Sequence, residues 1–218
     1  MTTLTTAPVA PLLDGLFEKA ATATSPAMAK LSSDERRRLI QSKTEYLDLY
    51  GRLRDLWLPV SPETGVLLYM LARACRARTI VEFGTSFGIS TLHLAAALRD
   101  NGGGRLITSE FEPSKVVRAR QHLTDGDLID LVEIREGDAL ETLSMDLPET
   151  IDLLLLDGAK SLYCEILELV EQRLRPGALI VADNADLSPD YLVRVRSRAA
   201  GYLSVPFGED VELSMRIA

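Results

Sequence analysis

TIVEFGTSFGIS, residues 79–90, passes from a β-branched run through a glycine-flanked turn into helix-forming sequence. Thr79 to Phe83 predict a strand and residues 88–99 a helix, with Gly84 and Gly88 allowing the sharp turn between them. The alternation then repeats. Residues 105–108, 131–134, 151–156 and 178–182 read as strands, and 113–123, 138–144, 161–174 and 189–198 as helices. The run Ile151-Asp152-Leu153-Leu154-Leu155-Leu156 has the apolar continuity of a strand buried on both faces. Residues 202–206 and 211–217 predict a closing hairpin. Strand–helix repetition of this kind predicts an α/β fold: a doubly wound, mainly parallel seven-stranded sheet with an antiparallel C-terminal hairpin.

Upstream of this unit, residues 1–57 read as an N-terminal helical appendage, leaving 58–218 as the main domain. The first 32 residues or so are rich in Thr, Ala and Pro and are expected to be mobile or loosely packed, with a short helix at 12–20. Ser33-Asp34-Glu35 is a helix-start signal, and Leu39, Tyr46, Leu49, Leu53 and Leu56 continue at near-helical spacing until Pro59 and Pro62. Residues 64–76 read as a further helix. The apolar residues of 39–56 exceed what one small helix needs to bury, which predicts a homodimer through the N-terminal helices.

Composition narrows the partners. The 218 residues carry a net charge of -8, so phosphate backbones and anionic lipid are poor partners and a small molecule is the better expectation. No apolar run reaches the roughly 18 residues of a membrane helix, and the N-terminus lacks the basic start of a secretory signal. Cys75 and Cys164 form no metal or disulfide pattern, which points to a reducing cytoplasm.

In open α/β sheets ligands bind at the carboxyl ends of the strands. Those ends carry Gly84-Thr85-Ser86, Glu110, Gly137-Asp138, Asp157 and Asp183-Asn184. Residues 84–88 do not make a dinucleotide fingerprint, because Ser86 replaces the middle glycine, and no G-K-[ST] follows to make a P-loop. A ligand here needs no diphosphate. Glu110 suits a ribose diol and Asp138 an adenine amino group; the plainer alternative is a turn beside a solvated strand end. Gly84-Thr85-Ser86-Phe87-Gly88 also matches a hydrolase nucleophile elbow, but no histidine follows His122 to complete a triad.

At the other strand ends, LLLLDGAK sets Lys160 three residues after Asp157, and LIVADN sets Asp183 beside Asn184. Neighbouring strands lie about 4.8 Å apart, so these three oxygen-bearing side chains can converge on one hard cation. Helix caps and a turn are the alternative use of the same residues.

S-P-E-T-G at 61–65, E-F-G-T-S-F-G-I-S at 82–90, G-D-A at 137–139, L-D-x-x-K at 156–160 and A-D-N at 182–184 occur in a family order. From about residue 58 onward the chain resembles the metal-dependent, catechol-type O-methyltransferases of the class I, Rossmann-like methyltransferase fold, bacterial small-molecule members above all. The resemblance implies S-adenosyl-L-methionine (SAM) as methyl donor. It implies Glu110 at the ribose, Asp138 and Ala139 at the adenine, and Glu82, Gly84 and Ser90 at the methionine end, with Val60 and Ser61 closing over it. Asp157 is expected in the cofactor set and, with Asp183 and Asn184, as a ligand of Mg²⁺ or another divalent cation; Lys160 is expected as general base.

Chemistry stands beside the resemblance. A phenol titrates near pH 10 and is a poor nucleophile while protonated. Chelation of a vicinal diol lowers that barrier and fixes orientation. Two other readings use the same residues: a metal-independent N- or O-methyltransferase, and a SAM-binding protein without turnover. One departure stands out. Family members acting on small catechols place bulky aromatic residues inside D-x-x-K, where this chain has Gly158 and Ala159. That predicts a larger or differently shaped acceptor.

Overall fold

A computed structural model of the chain describes residues 1–208 and 210–217; positions 209 and 218 of the expected main domain lie outside it. Seven strands form one sheet: β1 Thr79–Phe83, β2 Arg105–Glu110, β3 Val132–Glu136, β4 Ile151–Leu156, β5 Leu174–Ala182, β6 Tyr202–Phe207 and β7 Val211–Arg216. Their order is β3-β2-β1-β4-β5-β7-β6. β1 to β5 run parallel, β7 lies antiparallel to β5, and β6 pairs antiparallel with β7. The predicted architecture is the observed one.

Alternation explains why the sheet is doubly covered. Ile80, Leu153, Leu155 and Val181 join one core cluster, while Val81, Leu154, Leu156, Ile180 and Ala182 join the other. The first face is covered by α5 Pro62–Ala74, α6 Ile89–Asp100 and α7 Pro113–Asp125, through Leu68, Leu92 and Leu123 among others. The second is covered by α8 Ala139–Thr142, α9 Tyr163–Val170 and α10 Pro189–Arg196, through Leu167 and Tyr191. Strand order reverses between β1 and β4, so a crevice opens where Gly84 and Asp157 leave the sheet.

The N-terminal segment departs from expectation. Residues 9–22 form a helix, α1 Val9–Thr22, and Val9, Leu13 and Leu16 are buried in the same core as α6. Thr, Ala and Pro content hid three large apolar residues on one helical face. The single helix expected across 33–56 is two: α3 Ser33–Ile40 and α4 Tyr46–Arg52, with the short α2 Pro26–Ala29 before them. Gln41 to Glu45 carry no apolar residue to pack, and Ser42 turns the chain by accepting from the Glu45 N–H at 3.0 Å. Leu39, Leu49 and Leu53 then bury one another in a small separate cluster. Part of the apolar surplus that suggested a dimer seam is buried within the chain in this way. β5 also begins earlier than expected, at Leu174, and runs through Pro176 and Gly177 with a register shift against β4.

Candidate active site

Three connected hollows run along the carboxyl end of the sheet, and Asp157 and Leu58 border all of them. The first is the expected nucleoside hollow. Gly84, Glu110, Asp138, Ala139 and Asp157 line it. Glu110 is buried, and its carboxylate accepts the Ser86 N–H at 2.8 Å and the Glu112 N–H at 3.0 Å. These bonds hold the 84–88 turn, in which Ser86 adopts a left-handed φ of 47°. Burial raises the Glu110 pKa, opposed by those N–H donors and by Lys115. Asp138 caps α8 through the Leu140 N–H at 3.0 Å, and its other oxygen accepts the Tyr46 hydroxyl. The capping alternative is therefore realised on the carboxylate that was expected at the adenine.

The second hollow is a narrow channel bordered by Val60, Gly84 and Ser90. Glu82 does not reach it. That carboxylate is fully buried beneath the turn, accepting from the Ser90 hydroxyl and the Thr91 hydroxyl at 2.6 Å each. Burial lifts its pKa to about 7 against the pull of those hydroxyls. Glu82 orients Ser90 rather than lining the channel. Gly84 is required here: its φ is +105°, and a Cβ would stand 2.6 Å from the Asp157 carbonyl oxygen.

The third hollow is a cleft of about 750 Å³, with Val60, Ser61, Asp157, Lys160, Asp183 and Asn184 among its lining. Asp157 and Lys160 make an ion pair of 2.9 Å, buried at the floor. Burial alone would lower the Lys160 pKa, but the Asp157 charge carries it well above the usual lysine value. Asp183 is pushed up to about 7, first by burial and then by the charge of Asp157. Asn184, at a left-handed φ of 47°, donates its side-chain N–H to Asp210 at 2.9 Å, which leaves the amide oxygen as the free end. Among the described residues no group of three His, Cys, Asp or Glu side chains is assembled at metal-binding distance. The donor chemistry still suits a hard cation: two crowded carboxyl groups, an amide oxygen, and a further acid, Asp210, whose charge also acts on Asp157 and Asp183.

Several residues at the site escaped the sequence. Tyr46 and Tyr50 reach the nucleoside hollow from α4, and their spacing of four reads as ordinary helix packing. Lys115 lines the same hollow from the first turn of α7, buried, with its pKa lowered by burial. Asp210 reads as a hairpin turn. Trp57 did not escape: its sequence position allows a pocket wall or plain packing, and it stacks on Phe87 with ring centroids 4.1 Å apart while walling both the channel and the cleft. Gly158 of D-x-x-K also has a partner: a Cβ there would stand about 2.5 Å from the Phe83 ring. Phe83, from the end of β1, fills the space against Gly158 and lines the first hollow.

A family model described as a methyltransferase domain matches residues 81–185. A catechol O-methyltransferase of Niastella koreensis is 38% identical over 130 residues, 58% of this chain, and the match spans 58% of that protein's length. Catechol O-methyltransferase B of Danio rerio is 33% identical over 180 residues, covering 79% of this chain and 67% of that protein. In shape, the structure of the O-methyltransferase from Bacillus cereus in complex with SAH superposes with a TM-score of 0.67 over 91% of this chain and 100% of that one, at 23% identity, a likeness of fold. Identity of 33% sustained over 180 residues, on a sheet of this order, goes beyond shared architecture: the chain belongs to the class I, SAM-dependent, catechol-type O-methyltransferase family.

Proposed function

We propose that the protein transfers a methyl group from SAM to one hydroxyl of an aromatic vicinal diol or a similar chelating small molecule, with Mg²⁺ or another divalent cation and with Lys160 as base. The observation that carries this reading is the position of Asp157. It borders the nucleoside hollow, the channel and the acceptor cleft at once, and it holds the Lys160 ammonium at 2.9 Å.

In this reading Glu110 takes the ribose diol and Asp138 and Ala139 face the adenine. Ser90, held by Glu82, meets the methionine end beside Gly84, with Val60 and Ser61 above it. Asp157, Asp183 and the Asn184 oxygen would hold the cation, which would chelate both hydroxyls of the diol and make one easier to ionise. Lys160 takes the proton at Nζ. Asp157 is the group that raises the lysine pKa, so charge neutralisation at Asp157 is what frees that amine to accept a proton. Leu58 and Trp57 keep bulk water from the junction.

The proposal extends to setting and assembly. Cys75 and Cys164 are free thiols, in keeping with a reducing cytoplasm. No helix among the described residues is long and apolar enough to cross a membrane. The net charge of -8 disfavours nucleic acid as partner. A homodimer through the N-terminal helices, where Leu47 of α4 is exposed, is part of the proposal; Leu203, Val205, Phe207 and Met215 of β6 and β7 offer a second exposed apolar surface.

One observation favours the metal-independent alternative: Lys160 and Asp210 already occupy polar atoms of Asp157 and Asn184. Removal of the metal decides between the two. EDTA should abolish methylation of a catechol-bearing acceptor, added Mg²⁺ should restore it, and SAM binding measured by calorimetry should persist throughout. Full turnover in EDTA would overturn the metal-dependent reading.

A further inference from the structure

The acceptor cleft is far larger than a single diol ring requires. A benzene-sized ring fills a cavity of about 150 Å³, whereas this cleft offers about 750 Å³, within the range that takes ligands of several rings. Its upper wall comes from the N-terminal segment, and that wall is apolar: Phe17, Met28, Ile40, Leu49, Leu53 and Trp57 all line it. A ring held at Asp157 and Asp183 therefore leaves a long apolar surface beyond it.

One charge interrupts that surface. α3 carries Arg36, Arg37 and Arg38 in succession. Arg37 lies 3.9 Å from Asp34, and Arg38 pairs with Glu45. Arg36 lines the cleft, and among the described residues it has no acidic partner; its guanidinium donates only to the Met28 sulfur, at 3.8 Å. Sulfur is a weak acceptor, so most of the guanidinium's donors remain available. Arg36 is exposed, whereas Lys160 and Asp183 are buried, so it stands on the solvent side of the cleft. Lys160, the cleft's other lysine or arginine, is spent on Asp157.

We infer that the acceptor is an extended catechol of at least two rings, or one ring with a bulky apolar arm, carrying beyond the reacting ring a carboxylate or similar anion that Arg36 receives. This rests on the O-methylation reading and adds the substrate class. A planar guanidinium suits a carboxylate in two-pronged geometry.

Calorimetry with three probes tests this: rosmarinate, its neutral methyl ester and catechol, each titrated into the intact protein with Mg²⁺ and S-adenosylhomocysteine present, for wild type and Arg36→Gln. Rosmarinate should bind at least about tenfold more tightly than catechol. Arg36→Gln should weaken rosmarinate by about fivefold to tenfold, and the ester by less than about twofold. The ester thereby controls for any loss of fold. Equal binding of catechol and rosmarinate, no binding of rosmarinate, or an equal effect of Arg36→Gln on acid and ester would each overturn the inference. Arg36-dependent binding of rosmarinate, with no methylated product once SAM replaces S-adenosylhomocysteine, would leave the class of bound ligand standing and overturn O-methylation as its use.

Discussion

The two ends of the crevice manage charge in opposite ways. At the nucleoside end, Glu110 accepts backbone N–H groups from Ser86 and Glu112, and Asp138 accepts one from Leu140. Each acid is satisfied by the turn that it organises, so this end is shaped before any ligand arrives. At the acceptor end, Asp157, Asp183 and Asp210 crowd one another, and Lys160 is the buried cation among them. That end is left short of positive charge. The first arrangement suits a site that recognises an invariant ligand through fixed geometry. The second suits a site whose working state includes something cationic.

The largest expected effect breaks the second end alone. Lys160→Met keeps the stem and removes the amine, and turnover should fall by ~10²–10⁴-fold, the usual contribution of a positioned base. SAM affinity should be largely retained in the same preparation, since Glu110 and Asp138 are held by backbone N–H groups and not by Lys160. Unchanged turnover, read by mass detection of methylated product, would make Lys160 a structural counter-ion only.

Breaking the first end should be milder and of another kind. Glu110→Ala removes a charged acceptor worth roughly 1.5–3 kcal/mol, so SAM affinity should drop by about 10- to 100-fold. The Ser86 and Glu112 N–H groups also lose their partner, and the melting temperature should fall with it. Glu110→Gln keeps an acceptor and should recover part of both. Full SAM affinity in the alanine variant would place the ribose elsewhere.

The smallest effect is a pH dependence that sharpens the contrast between a satisfied acid and a strained one. Glu82 has its pKa lifted to about 7 in the folded chain, above its usual value of 4.5. Its contribution to stability is complete below the unfolded pKa and is lost as pH rises through about 7. Glu82→Gln, which cannot ionise, should lose less stability than wild type between about pH 5 and pH 8, by on the order of 1–3 kcal/mol. Parallel denaturation curves for the two proteins over that window would refute this.

The sheet was legible because its strands state their own burial. Leu153 to Leu156 alternate between two covered faces, and a run of that kind has few other uses. Strand-end acids were legible for a related reason: turn glycines and capping residues act locally, and Glu110 and Asp138 each bond within their own neighbourhood. What escaped was long-range. Tyr46 meets Asp138 across 92 positions, and Gln41 meets the Leu187 carbonyl across 146. No pattern along the chain encodes such a meeting. The N-terminal helices misled for an energetic reason. Composition suggested looseness, but three or four large side chains on one face of a short helix suffice to dock it against a preformed core. The exchange between Phe83 and Gly158 was half legible: the missing bulk could be read, while the ring that takes its place lies 75 residues earlier and only the fold brings them together.

Trp57 gives the molecule a further property. It is the chain's single tryptophan, and it stands against Phe87 where the channel meets the cleft. All indole emission from this protein therefore originates at the place where donor and acceptor would be brought together. Arrival of either ligand changes the polarity and the stacking around one fluorophore, with no second indole to dilute the signal. The protein is, in effect, labelled at its own reaction junction, and the order in which donor and acceptor enter can be followed optically without chemical modification.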